Sequence, residues 1–139
     1  MRASLRNDRR KVLAFASVVE IATGVVLIID PAVVVALLLG TSIAGAGIPL
    51  GRCFGITLLA LGLACWPTAQ RAEGSVAAAG GMLLYNALIA LYLVWLGKLG
   101  NMRGLLLWPG VALHAVVALL LVWTSRSPQG RREPGRIGE

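Results

Sequence analysis

Residues Val12–Ile29 read VLAFASVVEIATGVVLII, and this stretch decides the fold. Eighteen residues at helical rise cover about 27 Å, close to the ~30 Å hydrocarbon core of a bilayer. The run is apolar except for Glu20 near its middle. A carboxylate at that depth is costly unless it is paired, protonated or in contact with water. The first question is therefore what the rest of the chain offers Glu20.

Three further apolar segments follow, at about residues 48–66, 75–96 and 105–124. Hydrophobic residues make up 58% of the 139-residue chain and charged residues 14%. A water-soluble fold of this length has too little interior to hide so much apolar surface. The expected fold class is all-α: a four-transmembrane-helix bundle, residues 12–124, forming one domain. A basic arm, residues 1–11, precedes it, and a disordered basic tail, residues 125–139, follows. Arginines and lysine cluster at Arg2, Arg6, Arg9, Arg10 and Lys11, and again at Arg126, Arg131, Arg132 and Arg136. Basic ends beside apolar spans predict cytoplasmic N- and C-termini that touch anionic lipid headgroups, and they argue against a nucleic-acid groove. Trp66 and Trp123 then mark the inner interface, and Trp95 and Trp108 the outer one.

Between the first two spans, Asp30-Pro31 breaks the helix, because Pro31 has no N–H and disfavours a helical Asp30. The apolar segment 32–40 is too short to span alone. It either prolongs the first helix past a kink or lies as a short helix at the outer side. Arg9-Arg10 before an apolar run and the small residues Ala44-Gly45-Ala46 raise a cleaved leader as an alternative. Glu20 interrupts the apolar region and the cleavage-like site is too far downstream, so Val12–Ile29 is expected to be a retained span.

The second span carries Gly51-x-x-x-Gly55 and then Gly62, a pattern that lets a neighbouring backbone approach. The third opens on the small residues VAAAGG (Val76–Gly81), which predicts tight packing there too. Cys53 and Cys65 lie on one helix about 18 Å apart, too far to bridge, and read as packing residues.

Each later span supplies a polar residue. Counted from the inner helix ends, Glu20 lies at about 14 Å, His114 at about 17 Å, Asn86 at about 18 Å and Arg52 at about 22 Å. The expectation is one buried layer of Glu20, Arg52, Asn86 and His114, with Arg52 bending toward Glu20 as its counter-charge. Ser17, Glu20, Thr23 and Gly24 share one helix face, and Gly110, His114 and Ala118 share another. The candidate binding or proton-relay residues are Glu20, Arg52, Tyr85, Asn86 and His114. Each has a structural reading beside the functional one. Glu20 with Arg52 fixes helix register, Asn86 bonds helices together, His114 is a satisfied core residue, and Tyr85 packs.

No nucleophile elbow, zinc-protease motif, paired-cysteine motif or phosphate loop is present. No catalytic residue, metal site or cofactor is expected. Three functions remain: a non-enzymatic accessory or assembly subunit of a larger membrane redox or transport complex; a small homo-oligomeric transporter or channel using the polar layer; and a lipid- or quinone-binding redox module. The expected partners are the bilayer and either another membrane protein or further copies of the chain.

Glu20-x-x-x-Gly24, Asp30-Pro31, the LLLG ending at Gly40, Arg52, Tyr85-Asn86 and LWPGVALHAVVALLL (Leu107–Leu121) together resemble small bacterial four-helix membrane proteins of the DoxX-like kind. The resemblance covers most of residues 12–124. It implies a multi-pass bundle of the bacterial inner membrane and no settled activity; some such proteins look like partners of membrane redox enzymes.

Overall fold

A computed structural model describes residues 2–68 and 74–125, with backbone only for 2–6 and 74–75. Residues 69–73 of the expected inner loop and the basic tail from 126 onward lie outside the described residues. The described chain is helical: α1 (Arg2–Ile29), α2 (Pro31–Leu39), α3 (Gly47–Ala64), α4 (Gly74–Lys98) and α5 (Leu107–Ser125). Within α1, α3, α4 and α5 are four segments long and apolar enough to cross a membrane: Asn7–Ile29, Gly47–Ala64, Val76–Lys98 and Leu107–Ser125. Their outer surfaces are strongly apolar, with Phe15, Leu50, Ile56, Leu84, Leu91 and Leu119 all facing outward. Such a surface suits acyl chains and is a liability in water.

Of the boundaries that differ from the sequence reading, two have a local cause in the residues there. Residues 2–11 form the first turns of α1 and not an arm that precedes it. No Pro or Gly interrupts RASLRNDRRK, and its Arg, Lys, Leu and Ala favour helix, so nothing stops the turn at the charge boundary. At the other end of α3, the helix stops at Ala64 and not at Trp66. Pro67 pushes Trp66 out of helical geometry, and Cys65 caps the last turn.

The segment after Asp30 is a separate short helix. Asp30 is extended (φ −140°), and its Oδ1 accepts from the Ala32 and Val33 amides at 3.1 and 3.2 Å. Pro31 fits the first helical position, where its missing N–H costs nothing. Gly40 ends α2 in the left-handed region at φ +73°, a conformation glycine adopts without a Cβ penalty.

α1 is the hub. It packs most extensively on α3 and also touches α5, α4 and α2, while α4 packs chiefly on α5. The α1–α3 crossing runs through glycines. Gly51 lies on the Pro31 ring, Gly55 on Gly24, and Gly62 on Ser17 and Ile21. Rising numbers on α3 meet falling numbers on α1, so the pair is antiparallel. Leu13, Ala16, Cys65, Ala79, Met82, Val117 and Leu121 close one core at the end of the bundle where α1 enters it. Leu93, Leu96 and Leu107 form a second core at the other end, with Leu38 and Leu39 of α2 against it. The small opening turns of α4 depart from expectation. Ala79 is buried, but a Cβ on Gly80 or Gly81 would meet nothing within 4 Å.

Candidate functional site

Three helices bring polar side chains together between the two cores. On α1, Glu20 is 2% exposed, held inward by the face that also carries buried Ser17 and Gly24. On α4, Tyr85 and Asn86 are neighbours in sequence but take different partners. The Tyr85 hydroxyl donates to the Glu20 carboxyl. The buried Asn86 amide donates from Nδ2 to the Met82 carbonyl one turn earlier, at 2.8 Å. That bond orients the amide so that Oδ1 faces α5, where it lies 2.8 Å from His114 Nδ1.

This orientation decides the histidine tautomer. An amide oxygen only accepts, so Nδ1 of His114 carries the hydrogen and Nε2 of the neutral ring is an acceptor. The Tyr85 ring meets the imidazole edge to face, with centroids 5.9 Å apart and planes at 79°. Contacts therefore pass from Glu20 to Tyr85 by a hydrogen bond, from Tyr85 to His114 by a ring edge, and from His114 to Asn86 and the Met82 carbonyl by hydrogen bonds. One turn before Glu20, the fully buried Ser17 Oγ has no hydrogen-bond partner among the described residues.

Arg52 stands apart, which corrects the expected Glu20–Arg52 pair. Arg52 is exposed, and among the described residues it has no hydrogen-bond or ion-pair partner. The cause is helical rotation. Gly51, Gly55, Leu58 and Gly62 form the face of α3 that meets α1. Arg52 is about 100° around the helix from Gly51, so it points away from Glu20 at whatever depth it lies. Tyr85 occupies the position beside Glu20 that the sequence reading gave to Arg52. The signals for both were present: the glycine stripe marks the inner face of α3, and Tyr85 lies one turn from Met82 on the packed side of α4.

The arrangement can hold a carboxyl away from lipid, fix its orientation through a phenol, and connect it through an aromatic contact to an imidazole of defined tautomer. Among the described residues, no group of three or more His, Cys, Asp or Glu side chains is placed to hold a metal ion. No family model, curated protein or solved structure matches the chain.

Proposed function

We propose that the protein is a non-enzymatic subunit of a larger assembly in a bacterial inner membrane, with both termini in the cytoplasm. The observation that carries this reading is the open Gly80–Gly81 turn of α4. Each glycine costs a helix roughly 0.5–1 kcal/mol relative to alanine. At the α1–α3 crossing that cost is offset by close backbone contact. At Gly80 and Gly81 nothing among the described residues comes within 4 Å, and a contact from another molecule would offset the cost there.

The test is isolation of the tagged full-length chain in mild detergent, followed by mass spectrometry. A stoichiometric larger membrane partner supports the reading, and its loss in Gly80→Leu or Gly81→Leu assigns the contact to this turn. A lone monodisperse species counts against it.

A second reading rests on the Glu20–Tyr85–His114 path: a proton- or solute-carrying protein in which the buried carboxyl is the binding group. Flux in proteoliposomes that falls in Glu20→Gln and His114→Ala would favour it. Flux unchanged in both variants removes these residues from any such mechanism.

A further inference from the structure

The unpaired guanidinium of Arg52 has a matching acid in the same chain. Six acids are present: Asp8, Glu20, Asp30, Glu73, Glu133 and Glu139. Glu20 is buried against Tyr85. Asp8 lies near the start of α1, while Glu73, Glu133 and Glu139 fall in the segments before α4 and after α5. Among the described residues, Asp30 is the acid at the end of the bundle where Arg52 lies. The contact of Gly51 with the Pro31 ring fixes this, since Arg52 and Asp30 are the immediate neighbours of those two residues. Their depths therefore agree to within about one helical turn, ~5 Å.

Within one chain the two charges do not meet. Among the described residues Arg52 has no partner, and Asp30 uses Oδ1 for the α2 cap, leaving Oδ2 outside it. Both residues are exposed. We infer that two copies of the chain associate side by side through the α1–α3 pair, with Arg52 of each copy meeting Asp30 of the other.

A two-fold axis along the membrane normal preserves depth, so one rotation makes both pairs at once. The exposed apolar side chain of Ile56 lies one turn from Arg52 on the same side of α3 and would be covered with it. A lipid phosphate suits this place less well, because the Asp30 carboxylate repels an anion at the same level. The free Oδ2 of Asp30 can accept a guanidinium N–H of the neighbouring copy while Oδ1 keeps the α2 cap, and the pair gains strength once the interface excludes water. This self-association stands apart from the assembly reading, which concerns Gly80 and Gly81 near the opposite end of the bundle.

Sedimentation equilibrium of the full-length protein in an uncharged detergent tests it, with Arg52→Gln, Asp30→Asn, the double variant and Arg52→Lys. Asparagine still accepts the Ala32 and Val33 amides, so Asp30→Asn removes the charge and keeps the cap. The expected result is a wild-type dimer whose Kd rises about tenfold in each single charge-neutral variant. The double variant should be no worse than either single one, and Arg52→Lys should remain dimeric. A monomeric wild type overturns the inference. So does an Arg52→Gln effect with a silent Asp30→Asn. If Arg52→Gln then only lowers retention of added anionic lipid, the occupant is a lipid phosphate. If it only lowers recovery of a different protein, the occupant is that protein.

Discussion

Gly24 and Gly55 touch backbone to backbone: a Cβ built on either would lie 2.7 Å from the other's carbonyl oxygen. Neither α1 nor α3 can retreat locally, because Gly51 on Pro31 and Gly62 on Ser17 hold the crossing on both sides. Gly55→Ala and Gly24→Ala should each destabilise the protein by about 1–3 kcal/mol through overpacking. Gly80→Ala, where space is open, should be neutral or stabilising by up to about 1 kcal/mol in the isolated chain. Reversible unfolding of the three variants in mixed micelles checks the contrast.

The Asn86–His114 bond predicts a non-additive pair. Asn86→Ala leaves the Nδ1 hydrogen of His114 without its acceptor, and His114→Ala leaves Oδ1 of Asn86 without its donor. Each should cost about 1–3 kcal/mol. The double variant should cost less than the sum by about 0.6 kcal/mol, the average between membrane helices, and by no more than about 1.7 kcal/mol. The same unfolding assay supplies the cycle.

Removing the Tyr85 hydroxyl tests how Glu20 is tolerated. Tyr85→Phe deletes the donor and keeps the ring against His114, so the loss reports the hydrogen bond alone, about 1–3 kcal/mol. Glu20→Gln retains an acceptor for Tyr85 and abolishes any buried charge, so it should be neutral or stabilising. Glu20→Ala should instead cost as much as Tyr85→Phe or more, since it strands the phenol and opens space in the layer.

α2 ends where it does because Gly40 is left-handed. Gly40→Ala should cost about 1 kcal/mol or more, both from φ and from contact of the new Cβ with the Arg103 backbone at 2.9 Å. Gly104→Ala should be worse, because its Cβ would collide with the Leu38 backbone. Hydrogen exchange at the Arg103 and Leu106 amides should quicken in both variants.

Much of the helical layout was legible in the residues because lipid permits few alternatives. A long apolar run must satisfy its backbone internally, so Val12–Ile29 had to be helix. Asp30-Pro31 had to interrupt it, and a capped, separate α2 was one of the two outcomes that interruption allowed. Glycines at 51, 55 and 62 announced a close crossing. Rotation was harder. Depth follows from counting residues, whereas the direction of a side chain depends on which face its helix turns inward. Arg52 was matched to Glu20 by depth and misplaced by angle. Gly80 and Gly81 look like the α3 glycines in sequence, yet only the arrangement of neighbouring helices distinguishes a filled small-residue face from an open one.

The connection between α4 and α5 also acts on α2. The Leu106 amide donates to the Leu37 carbonyl at 2.8 Å, and the Arg103 amide to the Leu39 carbonyl at 3.2 Å. These acceptors belong to the half of the chain made first, and the donors arrive only with the second half. During synthesis, the first two spans thus leave the ribosome with a loose end that their own residues do not tie. Newly inserted chains should stay exposed to quality-control proteases until the final hairpin is threaded, and the finished molecule then carries its own seal.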